Sequence, residues 1–376
     1  MREYLLTSAL AAALCFLLTP PIRDFALRAG AFMGIRDRDM HEKITPRWGG
    51  IAMWGSMSIT FLIVSHLPLV SQSFGREARG IFLAGTFIMM LGLIDDRYDL
   101  DSVTKFAGQA LAGGILLLHG VQILWLPING IFTLPANIGQ LLTVIFVMVV
   151  INAVNFVDGL DGLATGIVAI CASAFFIFSY VLAVVNGFSR AGAPSLITAV
   201  MIGMCLGFLP HNYHPAKIFM GDSGAMLLGL LLASSAITLT GQIDINAISD
   251  GGGLTWLPLL LPFTVLAIPL LDLILAIIRR LRAGRSPFAS DREHLHHKLL
   301  NIGMSHRRTT FILYLWSAMF AFPTVIAAFE PLWIAAVVAL AMALASALLI
   351  LEPRWREHRT TAVSESDSHT KVKASL

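Results

Sequence analysis

Charge is what this chain has least of. Asp, Glu, Lys and Arg supply 13% of its 376 residues, and hydrophobic residues supply 56%. A soluble domain carries about twice that share of charge. With a mean hydropathy of +0.77, the composition excludes a soluble globular protein and places the chain in a membrane. A net charge of +3 without a basic face excludes a nucleic-acid binder. Cysteine is nearly absent as well. Cys15, Cys171 and Cys205 lie far apart inside apolar runs, which excludes a disulfide framework and a cysteine metal cluster and leaves three small buried hydrophobes. No internal repeat is present.

What the chain does have is long apolar runs. A bilayer-crossing helix needs about 20 mostly apolar residues. That window predicts eleven spans, at 3–20, 50–69, 80–94, 106–124, 138–154, 163–185, 194–210, 223–242, 255–278, 311–329 and 331–351. The run 80–94 is short, and only Glu330-Pro331 divides the last two. Residues 3–20 follow Arg2 and admit a signal-peptide reading, but no small-residue cleavage site precedes Pro20-Pro21. The mildly apolar segment 125–137 reads as a hairpin or a re-entrant piece. The expected fold is therefore an all-α polytopic membrane domain over 1–351, with a disordered tail over 352–376.

Basic residues orient these spans. The loops 21–49, 95–105, 155–162, 211–222 and 279–310, with the tail, hold 22 of the 26 Lys and Arg residues. The positive-inside rule puts that side in the cytoplasm, the N-terminus outside and the C-terminus inside. The opposite loops are short or built from turn residues, such as Pro127-Ile128-Asn129-Gly130 and Asp250-Gly251-Gly252-Gly253.

Four polar clusters sit at the cytoplasmic ends of spans. The first, Asp95-Asp96-Arg97-Tyr98-Asp99-Leu100-Asp101, reads as a solvated helix cap or as metal or general-base chemistry. Adjacent carboxylates at a membrane edge are costly unless they bind a cation or a proton. The second runs Asn152-Ala153-Val154-Asn155-Phe156-Val157-Asp158-Gly159-Leu160-Asp161-Gly162. Asn152, Asn155 and Asp158 recur at helical spacing on one face, and the repeated Asp-Gly exposes backbone N–H groups suited to phosphate. One Asn alone would read as a helix–helix hydrogen bond; so many amides and acids within a few residues do not. The third, Phe219-Met220-Gly221-Asp222-Ser223-Gly224, puts Asp222 at a helix start, where a plain N-cap role is available. Oxygen ligands such as Asp222 and Asn155 also suit Mg²⁺. The fourth is Asp291-Arg292-Glu293-His294-Leu295-His296-His297-Lys298, followed by His306-Arg307-Arg308. Zinc is disfavoured by the basic neighbours and the lack of cysteine, whereas anion recognition fits.

In this order the clusters, with Lys43-Ile44-Thr45-Pro46-Arg47-Trp48-Gly49-Gly50 before them, resemble the polyprenyl-phosphate N-acetylhexosamine-1-phosphate transferases. The resemblance implies transfer of a sugar 1-phosphate from a UDP-sugar to undecaprenyl phosphate, with release of UMP, at the cytoplasmic face of a bacterial inner membrane. It implies a Mg²⁺ cofactor, for which Mn²⁺ can substitute, held by Asp222 and Asn155. It marks Asp95, Asp96 and Asp158 as catalytic, with Asp95 the base that activates the lipid phosphate. Lys43, Asn212, Asp161 and Phe219 match positions that hold the uridine and its phosphates. Lys105 faces the phosphates, and His294, His296 and His297 fall in the sugar-reading loop. The string His-Leu-His-His in place of three consecutive histidines resembles the branch that starts teichoic acid, O-antigen and related glycans from UDP-N-acetylglucosamine. UDP-N-acetylmuramoyl-pentapeptide or another UDP-N-acetylhexosamine is the alternative donor. The assembly is open between a monomer and a homodimer.

Two other classes compete. A secondary transporter would place ionisable groups mid-span along a pathway, and only Asp272 tempts that reading. A lipid-phosphate-binding scaffold would need the basic loops but not the acids.

Overall fold

The computed structural model describes residues 1–31, 45–68, 70–126, 132–185, 192–241, 257–284 and 294–351. Helices are α1 (Arg2–Arg28), α2 (Gly49–Val64), α3 (Arg76–Tyr98), α4 (Ser102–Leu118), α5 (Ala136–Val157), α6 (Leu163–Tyr180) and α7 (Gly192–Asn212). They continue as α8 (Gly221–Gly241), α9 (Leu257–Val265), α10 (Ala267–Arg282), α11 (Leu295–Asn301), α12 (His306–Phe329) and α13 (Leu332–Leu351). The one sheet among the described residues pairs β1 (Trp125–Leu126) antiparallel with β2 (Phe132–Thr133), as the hairpin reading of this region expects.

The all-α reading holds. Eight of these helices are long and apolar enough to cross a membrane, and α2 and α4 are shorter apolar helices. The short run at 80–94 lies within a full 23-residue α3. The predicted span 255–278 is broken near Leu266, between α9 and α10. Residues 3–20 are the first part of α1, which does not stop at the prolines but runs on to Arg28. Pro20 has no N–H for the Phe16 carbonyl; His211 of α7 occupies that oxygen at 3.1 Å. The tail 352–376 and the loop at Asp250 lie outside the described residues.

The axis of the bundle is α8, buried along nearly its whole length. Around it pack α3, α5, α2 and α7, and α1 lies outside α7. At the periphery α13 presents Leu332, Trp333, Val337, Leu340, Leu344 and Leu348 outward, as a lipid-facing helix should. Small residues allow the closest approaches, as in other membrane helix pairs. A Cβ on Gly207 would lie 2.2 Å from the Ala12 carbonyl oxygen, whereas one on Gly114 would meet open space.

Gly207→Val therefore forces α1 off α7 through a backbone contact that cannot yield. It should destabilise the detergent-solubilised protein by at least about 2 kcal/mol, read as a lowered thermal midpoint. Gly114→Ala should leave that midpoint unchanged or slightly raised.

Candidate active site

The site forms where the first turn of α8 meets the ends of α3 and α5. A helix start leaves its first N–H groups unpaired. Here α3 supplies the cap: Asp96 Oδ1 accepts the Asp222 N–H at 2.8 Å, and its Oδ2 accepts the Ser223 N–H at 3.2 Å and the Ser223 hydroxyl at 2.9 Å. Two glycines let the backbones converge. A Cβ on Gly92 would lie 2.4 Å from Ser223 Cα, and one on Gly50 would lie 2.4 Å from the Gly224 nitrogen. Gly221 itself has a φ of +70°. The predicted N-cap role thus belongs to Asp96, the member of the acidic pair that caps α8.

Asp222 is left free to face the site. Its Oδ1 accepts from the Asn155 amide at 2.9 Å, and its Oδ2 lies 3.6 Å from Lys105 Nζ. The same ammonium sits 2.6 Å from Asp95 Oδ2. Asp95 is buried, and its Oδ1 accepts the Leu100 N–H at 2.9 Å. Lys105 therefore bridges Asp95 and Asp222, carboxylates from two helices. Asp158 ends α5. Burial, together with Asp222, Asp96 and Asp161, holds its carboxyl well above the usual range, partly offset by Arg47.

Arg47 carries no prediction of its own, although it stands in the string after Lys43. The segment around it is fixed by backbone pairing: Phe219 N–H donates to Pro46 O at 2.9 Å, Gly49 N–H to Phe219 O at 3.0 Å, and Arg47 N–H to Ala31 O at 2.9 Å. Its guanidinium reaches Asp158 and Asp222 electrostatically. Phe219 is half-buried at this junction. Lys43 lies outside the described residues, as do Asp291, Arg292 and Glu293.

Two residues expected at the nucleotide also hold the turn at 212–218. Asn212 is 1% exposed; it accepts from Thr165 Oγ1 at 2.8 Å and donates to Ile218 O at 3.0 Å. Asp161 Oδ2 accepts from His214 Nδ1 at 2.8 Å and from the Ala216 N–H at 3.0 Å. Asn212 ties the 212–218 turn to α6, and Asp161 Oδ2 holds the same turn. Asn152, on the expected face, turns aside to Gln109 Oε1 at 2.7 Å.

The histidines line the neighbouring wall. His294 and His296 stack in parallel at 5.6 Å, and His296 and His297 lie 4.2 Å apart. A Cβ on Gly159 would fall 2.5 Å from the His296 ring, so only glycine lets this ring close on the Asp158 turn. His296 Nε2 is buried without a hydrogen-bond partner among the described residues. Burial, then His297 and His294, pushes this imidazole from 6.5 down to about 3. His296 is thus neutral near pH 7 and offers a hydrogen bond, not a charge.

Beside the carboxylates opens a cavity of about 350 Å³. Phe106, Ile145, Met148, Val149, Phe156, Leu273 and Ile277 make its walls apolar, and Ser102, Lys105, Asn152 and Arg280 are its polar members. No three His, Cys, Asp or Glu side chains among the described residues form a ready-made metal cage. The oxygen donors of Asp222 and Asn155, unbacked by a cage, fit a hard cation that takes its other ligands from water and phosphate.

The apolar cavity thus has in its wall Lys105, the ammonium that sits between Asp95 and Asp222. Residues 78–240 match the model of the glycosyl transferase family 4. A decaprenyl-phosphate N-acetylglucosaminephosphotransferase of Mycobacterium tuberculosis is 45% identical over 86% of this chain and 82% of its own length. Its counterpart in Mycolicibacterium smegmatis is 44% identical over 86% and 81%. The undecaprenyl-phosphate alpha-N-acetylglucosaminyl 1-phosphate transferase of Escherichia coli is 30% identical over 85% and 84%. The chain belongs to this family of polyprenyl-phosphate N-acetylhexosamine-1-phosphate transferases, as a multi-pass membrane enzyme.

A depressed folded-state value makes the unfolded chain the better proton binder between pH 6.5 and about 3. The stability tied to His296 is therefore complete above 6.5 and drains away as pH falls below it. Thermal unfolding of the wild type should lose ground against His296→Gln between pH 7 and pH 5. A constant gap between the two would show that His296 is not buried as a neutral ring.

Proposed function

We propose that this enzyme transfers N-acetylglucosamine 1-phosphate from UDP-N-acetylglucosamine to a polyprenyl phosphate, releasing UMP. The observation that carries the reading is the apolar cavity whose wall includes Lys105, the residue that bridges Asp95 and Asp222. A lipid tail lying in that cavity brings its phosphate to the acids from within the membrane.

The chemistry follows from this placement. A phosphate oxygen of the lipid attacks the β-phosphorus of the nucleotide sugar, the bond from that phosphorus to UMP breaks, and UMP departs with the electron pair. Asp95 takes the proton of the lipid phosphate, and Lys105 keeps two anionic reactants near each other. Asp222 and Asn155 would hold Mg²⁺, which when bound neutralises the diphosphate and stabilises the leaving UMP. Arg47 adds a positive charge near Asp158, and His296 Nε2, buried without a hydrogen-bond partner among the described residues, would pair with a sugar hydroxyl or phosphate oxygen. Holding both reactants in register accounts for much of the remaining acceleration.

The acceptor is undecaprenyl phosphate on the motif resemblance, while the 45% relative is named for decaprenyl; both are to be assayed. The product would start a cell-envelope glycan such as teichoic acid, O-antigen or a related polymer. Eleven crossings follow if α2, α4 and the broken α9–α10 pair each cross, and the basic loops then place the site in the cytoplasm of a bacterium.

Purified protein given UDP-N-acetylglucosamine and polyprenyl phosphate should release UMP, and a chelator should stop it. Asp222→Asn should lower the rate about 100-fold or more while leaving the fold intact, because the amide keeps the shape and loses the charge. Preference for the muramoyl-pentapeptide donor would overturn the donor assignment, and full turnover with excess EDTA would overturn the metal.

Topology is tested separately. Single cysteines at Tyr98, Tyr213 and Lys298 in a cysteine-free variant should resist an impermeant maleimide in intact cells. Labelling from outside at two of them would place the site on the wrong side.

A further inference from the structure

Helix α10 faces two parts of the site at once. Leu273, Ile277 and Arg280 line the apolar cavity, while Asp272, 2% exposed, turns toward the segment that opens α11. Its Oδ1 accepts the Leu295 N–H at 3.0 Å, and its Oδ2 accepts from His294 Nδ1 at 3.0 Å. An acid inside an apolar helix is costly and marks a function or a partner. On an ion pathway it would face a neighbouring span or a water-filled channel; here both oxygens are spent on the first residues of the histidine segment.

Phe156 is a second strut between the same parts. It lines the cavity, its ring lies 5.4 Å from that of His294, and Arg280 sits 5.0 Å over it. From His294 the placement passes on to His296 by parallel stacking, and His296 closes on Gly159 beside Asp158. A shift of His294 therefore moves the ring whose buried Nε2 has no hydrogen-bond partner among the described residues.

We propose that Asp272 is a positioning residue that locks the histidine segment onto α10 and thereby holds His296 against the Asp158-Gly159 turn. Its consequence for turnover rests on the reading of these histidines as the donor-facing wall; its structural action does not. Asp272 acts through His294 and His296 and need not touch either substrate.

Diethyl pyrocarbonate acylation of the purified full chain, resolved by residue with mass spectrometry, reads the lock directly. In the wild type His294 and His296 should react slowly. In Asp272→Ala both should react about 10-fold faster, while His214, held by Asp161, keeps its rate as the internal standard. The same variant should lose about 10- to 100-fold in kcat/KM for UDP-N-acetylglucosamine, the usual cost of removing a group that orients a functional histidine. Inhibition by UMP should stay within about twofold. Asp272→Asn retains an acceptor for the Leu295 N–H and should recover part of the loss. It also serves as the test variant if the alanine form does not purify folded.

Unchanged acylation of His296 in a folded variant overturns the proposal. So does UMP inhibition that weakens in step with donor use, since Asp272 would then support the whole nucleotide site. If the wild type releases no UMP, the functional reading fails, and acylation still decides the positioning role.

Discussion

The first turn of α8 needs partners for its N–H groups in surroundings with almost no water, and Asp96 provides them. Three hydrogen bonds from Asp222 and Ser223 to one carboxylate satisfy donors that no residue of α8 can reach. They also place a negative charge at the positive end of the helix dipole. The rest of the site depends on this union. It joins α3 to the central helix at the level where α2 and α5 also arrive, and it fixes the backbone of Asp222 while leaving its side chain free. Gly50 and Gly92 are the steric half of the same constraint, since any side chain there would hold the helices apart.

Seen from that union, the acids divide into two kinds. Asp96, Asp161 and Asp272 each receive backbone N–H groups from another segment and hold it in place. Asp95, Asp158 and Asp222 face the space where phosphates would meet. The division has a physical basis. A carboxylate in an apolar region must be hydrogen-bonded, paired or protonated, and a segment with unpaired N–H groups needs an acceptor. The braces satisfy both needs together. The facing acids are satisfied less completely: Lys105 serves two of them, and Asp158 keeps a raised affinity for its proton. A site left in that condition gains from a bound cation and tolerates the approach of a proton-bearing phosphate.

The architecture also suits reactants of unlike habit. A prenyl chain moves in the membrane plane, so an apolar cavity between α4, α5 and α10 can receive it without a passage through water. On the proposed function a nucleotide sugar would meet the acids beside the Arg47 segment and the histidines. Helix α10 and Phe156 touch both the cavity and the histidine segment, so on the proposed function one support would carry both reactants.

The sequence alone determined the membrane class, the helical fold and the identity of the four polar clusters. Composition and the 20-residue apolar window are properties of the chain itself, and the bilayer leaves no other way to satisfy a backbone than helices or closed barrels. The spacing of Asn155 and Asp158, and the glycines beside Asp222, were likewise legible as local chemistry. Tertiary structure alone decided which acid meets Lys105 and which one caps α8. Asp95 and Asp96 are neighbours in sequence, and nothing local distinguishes them; the rotation of about 100° between successive helix positions points the first at Lys105 and the second at α8. Asn212 and Asp161 carry motif signals and also hold the 212–218 turn, and Asp272, the one acid that tempts a transporter reading, finds its partners in the histidine segment. Hydrogen-bond partners distant in sequence are set by how helices pack, so a side chain's role is fixed only when the segment that needs its oxygen arrives.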